Sequence, residues 1–180
     1  LAAEGTVVRA GDEVARIDER SVYLMSGLVP TYRGMGLGID DGVDVTQLET
    51  NLVRLGHADG LISTPDDHWD AATTAAVKRW QDATDQAETG LVEQGTIVFS
   101  AVLPVRVGPH DAKLGAKVGD ATNLAALTTP VREVTLTLEA ADRSKVAVYD
   151  TVTVALPDGT SAPGRITAIE GHVVHFAPDL

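Results

Sequence analysis

The stretch that most constrains the fold runs from Gly42 to Gln81, GVDVTQLETNLVRLGHADGLISTPDDHWDAATTAAVKRWQ. Val45, Leu48, Leu52 and Leu55 recur at i, i+3, i+7 and i+10, which puts them on one stripe of a helix. Asp44 stands at the N-cap position ahead of that stripe, and Gln47 follows three residues later, the spacing of a capping box. Gly56, just past the last apolar residue, suits a C′ position. A polar loop follows, after which Asp67 or Asp70 can cap a second helix carrying Ala72, Ala76, Val77 and Trp80. The spacing predicts two short helices joined by a structured loop.

On either side the pattern changes to that of strands. Gly5, Val8, Gly11, Val14 and Ile17 recur every three residues, and Gly115, Val118, Ala121, Leu124 and Leu127 repeat them at an offset of 110. Glycine at alternate steps and β-branched residues between them favour short strands and turns over a helix face. The two copies predict a pseudo-symmetric β-sandwich split by an insertion. Ser21–Met25 is a continuous apolar run leaving the first copy, and Ile97, Val98, Phe99, Val102 and Leu103, then Val105 and Val107, bring the chain back, so the two runs are expected to pair as a stalk. Gly34-Met-Gly-Leu-Gly38 lacks the spacing and context of a nucleotide loop and reads as a flexible linker. From Arg132 to Gly171 apolar residues alternate. Val134, Leu136 and Leu138 form one strand face, 140–146 one or two helical turns, and Val152, Val154 and Leu156 a second strand before a Pro157-Asp158-Gly159 turn. Arg165–Ile169 follows as another strand, and the whole is expected to be a small β-barrel.

Two resemblances attach to these residues. Asp44-Val45-x-x-Leu48-x-x-Asn51-Leu52-x-x-Leu55-Gly56, followed by Trp69-x-x-Ala72-Thr73-x-x-Ala76-Val77-x-x-Trp80-Gln81, resembles the peptidoglycan-binding domain of the three-helix type. Three positions depart from that family: Glu49 in place of Gln, His57 in place of Tyr, and Asp66-Asp67-His68-Trp69-Asp70 in place of a DG-x-FG loop. The repeated glycine-and-valine halves resemble the lipoyl-like barrel-sandwich domain of exporter adaptors, the membrane fusion proteins. The third region is similar to the β-barrel that follows it there, with Tyr149-Asp150 where that family usually has Gly-Asp. The resemblance implies an α+β multidomain chain. It would comprise a split lipoyl-like sandwich over 1–26 and 97–129, an inserted helical module over 40–94, and a β-barrel over 130–180 that is expected to be incomplete. No lysine stands on the hairpin that carries lipoate in the lipoyl domain proper, so no cofactor is implied.

Charge and chemistry narrow the function. A net charge of −12 lacks the clustered Lys and Arg of a phosphate-binding surface, which argues against nucleic acid as a partner. Cysteine is absent, removing disulfides, thiol catalysis and cysteine-ligated metal. His57, Asp59, Asp66, Asp67, His68 and Asp70 gather in sequence, but at no spacing of a zinc or calcium site, so no metal is expected. No nucleophile elbow or paired catalytic carboxylates can be argued, and the chain is expected not to be an enzyme. Trp80, one turn after Ala76, reads as core, as does Trp69 at the family's loop Phe. The candidates for peptidoglycan contact are Asp44, Asn51, His57, Asp67, Trp69, Thr73 and Gln81, of which Asp44 and Thr73 are equally explained as helix caps.

Together these imply a non-catalytic adaptor in the cell envelope. It would be held at the cytoplasmic membrane by a segment preceding Leu1, with peptidoglycan, an inner-membrane transporter subunit and its own copies as partners. The alternative is the wall-targeting module of a peptidoglycan hydrolase or another wall-associated protein.

Overall fold

The computed structural model describes residues 1–119, 122–130, 134–155 and 159–178. The chain forms two compact units, Leu1–Pro130 and Val131–Leu180.

The first unit is built on a hairpin of β2 (Glu13–Ile17) and β3 (Arg20–Ser26). Ile17 pairs with Arg20 across a two-residue turn in which Asp18 (φ 49°) and Glu19 (φ 64°) are both left-handed, the backbone of a type I′ turn. β3 also pairs, in parallel, with β4 (Ile97–Ser100). A parallel pair needs a crossover, and the crossover here contains α1 (Val43–Arg54) and α2 (Ala71–Ala83). Of the two apolar runs expected to pair, 23–26 and Ile97–Ser100 do so, side by side in one direction, while Val102 and Leu103 lie outside that pair and Val105 and Val107 belong to a separate sheet.

β3 is buried on both faces, which explains why its sequence is continuously apolar and not alternating. Tyr23 and Met25 join Ile97 in packing against the helices, with Val45, Leu48, Leu52, Ala76, Val77, Trp69 and Trp80. Leu24 points into a second core with Val8, Val105 and Val107. The helices thus share a core with the sheet, and a boundary drawn around 40–94 cuts through it. Only two α-helices occur among the described residues there, and side chains of β3 and β4 complete their core.

The second core belongs to a sheet of β1 (Val7–Val8), β5 (Val105–His110) and β6 (Ala125–Thr128), in the order β1-β5-β6. Segments before and after the helices therefore lie in one sheet. The repeat at offset 110 has no element-by-element counterpart. Val8 lies in β1 while Val118 is outside any strand, and Val14 and Ile17 lie in β2, in a different sheet from Leu127 in β6. Three-residue spacing is not a strand period, so it does not fix equivalent strand positions. Ala121 of the repeat lies outside the described residues.

Polar side chains of α1 tie the helix to the end of β3. Asn51, wholly buried, accepts from the Ser26 N–H (2.9 Å) and donates to the Ser26 carbonyl (2.7 Å). One turn earlier Gln47 accepts from Leu28 and Val29 N–H groups and donates to the Val29 carbonyl. Gln47 is thus not the partner in a capping box. The N-cap is Gly42, and Asp44 stands two residues later with its carboxylate held by Arg33. The glycine-rich 34–38 stretch is likewise not a loose linker. Met35 is 2% exposed and forms a β-bridge with Val92, and a Cβ on Gly36 would lie 2.4 Å from Leu91 Cδ2.

The second unit is a four-stranded antiparallel sheet in the order β7-β10-β9-β8, from β7 (Val134–Thr137), β8 (Thr151–Ala155), β9 (Ser161–Glu170) and β10 (Val173–Pro178). One 3₁₀ turn, Arg143–Lys145, lies where helical turns were expected. Ile166, Val174 and Phe176 form its core. Among the described residues the sheet is open, with β7 and β8 as edges, so closure into a barrel is not shown. Arg132, Leu156, the Pro157-Asp158 part of the expected turn, and Leu180 lie outside the described residues. Tyr149 holds φ 80° and is 74% exposed, at the position where the adaptor pattern has glycine.

Two substitutions test these assignments. Asn51→Ala removes the partner of both backbone polar groups of half-buried Ser26 and is expected to cost about 1–3 kcal/mol in denaturant unfolding. Tyr149→Gly relieves a left-handed backbone without removing a buried side chain. It should slow hydrogen exchange of β8–β10 amides by an amount equivalent to about 0.5–1 kcal/mol.

Candidate functional site

The loop from Leu55 to Asp70 is held by both helix ends. α1 closes with a Schellman motif: Gly56 (φ 81°) donates to Val53 and His57 to Leu52, so the C′ glycine expected from sequence is in place. Ala58, 1% exposed, anchors the loop in the core, and its carbonyl accepts from Leu61 and Ile62. Arg79 of α2 donates to the Asp59 carbonyl at 2.8 Å. At the far end Asp70 caps α2, accepting from Ala72 and Thr73 N–H groups, while the Thr73 hydroxyl accepts from the Asp70 N–H. These amide contacts, that of Thr73 foremost, hold the Asp70 carboxyl below its ordinary value.

Glu49 joins the three parts. Buried at 3% exposure, it accepts from the Asp66 N–H at 3.0 Å and from the Thr73 hydroxyl. Burial pushes its carboxyl up, against the pull of those donors. Glu49 therefore fixes the loop to both helices from within.

The seven residues expected to contact peptidoglycan separate sharply by exposure. Asp44 is 1% exposed and forms a two-pronged ion pair with Arg33, at 2.7 and 2.8 Å. Asn51 is engaged with Ser26, and Thr73 with the cap and Glu49. Gln81 donates to the Leu91 carbonyl and Thr89 hydroxyl and accepts from the Gly90 N–H. Trp69 is a core residue whose indole N–H donates to Thr74 Oγ1 at 2.9 Å. These five have their polar groups turned inward, and their sequence pattern reports how the helices are held. Only Asp67 and the half-buried His57 reach the surface. Burial holds the His57 imidazole below its ordinary value.

Two further exposed residues lie beside Asp67 at the start of α1, whereas His57 lies past its end. The Asp67 carbonyl accepts from the Gly42 N–H, which draws the segment before α1 onto the loop. That contact brings Asp41 to His68, with Oδ1 and Nδ1 2.7 Å apart. The hydrogen bond to Asp41 raises the His68 pKa above the ordinary histidine value. A separation of 27 residues hid this pair from the sequence. No three His, Asp or Glu among the described residues stand close enough to hold a metal ion.

The His68 pair gives a pH dependence with a definite sign. A raised folded-state pKa stabilises below the unfolded value near 6.5, and that contribution is lost as pH rises through the folded pKa. In an NMR titration His68 should titrate above the ordinary histidine value, and Asp41→Asn should bring it back down.

Comparison with known proteins bears on this same region. Residues 41–98 match a family model described as a putative peptidoglycan binding domain. No match to a membrane fusion protein family accompanies it. No curated protein and no solved structure matches the chain. From residue 41 to 98, through both helices, their loop and the start of β4, the chain is similar to peptidoglycan-binding domains.

Proposed function

We propose that this protein is a non-catalytic, extracytoplasmic wall-binding protein whose helical region contacts peptidoglycan through the loop between α1 and α2. The observation that carries this reading is the family match over 41–98, which spans both helices and that loop. The exposed groups of the loop are Asp67 and the Asp41–His68 pair beside the start of α1, and His57 just past its end, a helix length of about 18 Å away. Both tryptophans of the region are buried, so little apolar surface meets a sugar and the binding is weak. Many weak contacts along a polymer suit a protein that must stay near the wall without being fixed to it.

Two larger settings accommodate this activity. One is the targeting part of a peptidoglycan hydrolase or another wall-associated protein. The other is an exporter adaptor, in which the β-rich parts dock an inner-membrane transporter subunit, copies of the chain associate, and the helices hold the wall. Support for the second is the placement of the helices between segments that share a sheet, β1 before them and β5 after. No helix among the described residues is long and apolar enough to cross a membrane, so in the adaptor setting the anchor lies in another segment.

Co-sedimentation with purified sacculi tests the wall-binding reading. Wild type is expected in the pellet at low salt, and a His57→Ala/Asp67→Ala double substitution should reduce the pelleted fraction several-fold without changing thermal stability. Wild type remaining in the supernatant overturns the reading. Photo-crosslinking in cells from exposed positions of β6 addresses the setting, since an adaptor should capture a transporter subunit.

A further inference from the structure

At the other end of α2, about 20 Å from its capping box, lies a polar groove of about 620 Å³. Its walls are the β2–β3 hairpin, the last turn of α2 and the chain returning towards β4. Arg16 and Arg20 project from the hairpin, each already in an ion pair at the surface: Arg16 with Glu13 at 2.9 Å, Arg20 with Glu93. The arginine side chains are 60% and 69% exposed, so these pairs add little to stability and a ligand can replace either partner.

Two more acids are placed here at a conformational cost. Glu19 (φ 64°) and Asp85 (φ 54°) both hold left-handed backbone, which glycine adopts more readily. Asp85 ends α2 in a Schellman motif, donating to Asp82 while Gln86 donates to Gln81, the position that Gly56 fills on α1. The hairpin tip and the helix end therefore both present a carboxylate where a residue without a side chain would be easier.

The groove is charged in both signs and offers no open aromatic face. Trp80 is the sole aromatic residue of its lining and is 1% exposed, packed edge-on against Tyr23 with ring centroids 5.3 Å apart. Its indole Nε1 is the buried side-chain polar atom without a hydrogen-bond partner among the described residues. Like the interhelical loop, the groove has no open aromatic face, so what distinguishes it is its charge in both signs. Paired guanidinium and carboxylate groups match a ligand that carries carboxylate and ammonium together.

We propose that this groove binds a short zwitterionic peptide, its carboxylates going to Arg16 and Arg20 and its ammonium to Glu13, Glu93 and Asp85. Resting on the wall-binding function proposed above, that peptide is the stem of peptidoglycan and not its glycan strand. The wall would then be held at both ends of α2, sugar-side contacts at the interhelical loop and stem contacts at the groove.

The test titrates the whole ¹⁵N-labelled protein with purified stem peptide released from sacculi by an amidase, and in parallel with peptide-free glycan strands. Stem peptide should shift amides of the hairpin and of 84–96 together with the Trp80 indole N–H, leaving the Trp69 indole in place. Arg16→Gln/Arg20→Gln should weaken that binding tenfold or more at an unchanged thermal midpoint. Absence of groove shifts while wild type still pellets with sacculi overturns the groove and leaves the wall-binding reading standing. Groove shifts with glycan strands alone overturn the peptide assignment, and equal affinity in the double variant overturns the role of the arginines. Neither stem-peptide shifts nor pelleting removes both readings together.

Discussion

The first unit depends on β3 being buried on both faces. Side chains of a strand alternate, so one strand between two cores must be apolar at every position, and 22–25 supplies Val, Tyr, Leu and Met in turn. Leu24 closes the core beneath the β1-β5-β6 sheet, and Tyr23 and Met25 close the one beneath the helices. Neither core is complete without the strand. A polar residue at any of these positions would open one side or the other, so the β-rich and helical parts stand or fall together.

The same dependence explains the polar residues of α1. The strand ends at Ser26, where its half-buried peptide groups need partners in place of a ladder. Asn51 and Gln47, one turn apart, supply side-chain amides in their stead, because an amide carries both a donor and an acceptor as a peptide does. Asp44 extends the row by a further three residues and fixes Arg33. One edge of the helix therefore acts as a surrogate strand, which is why Asn51 is buried though polar and Gln47 half-buried beside it.

What the sequence disclosed and what it hid follow from the range of each interaction. Helix spacing and the Gly56 terminus are local and were readable from residues a few positions apart, and the cap of α2 was narrowed to Asp67 or Asp70, of which the structure selects Asp70. The pairing of 21–26 with 97–100 was readable because both runs are apolar enough to need a partner. Asp44, by contrast, has the chemistry of a cap and the place of an ion-pair partner, and only the position of Arg33, eleven residues earlier, decides between them. Asn51, Thr73 and Gln81 match a binding-family pattern because that pattern contains the residues that hold the helices together, and a pattern alone does not separate scaffold from contact surface. The Asp41–His68 pair and the groove at the end of α2 are assembled from distant segments and leave no local trace.

The parallel register of β3 and β4 also sets how freely the helical region can be exchanged. A domain carried on a hairpin leaves and rejoins its host at neighbouring points, and can be trimmed to a tight turn without disturbing the strands. Here the chain leaves β3 at Ser26, beside Ser100, but must re-enter at Ile97, beside Tyr23, about 10 Å back along the sheet. A short turn cannot make that return and keep the strands parallel. Any shortened descendant of this protein would have to reverse β4, lose it, or replace the helices with another crossover. Grafting the helical region elsewhere would likewise require carrying both strands with it.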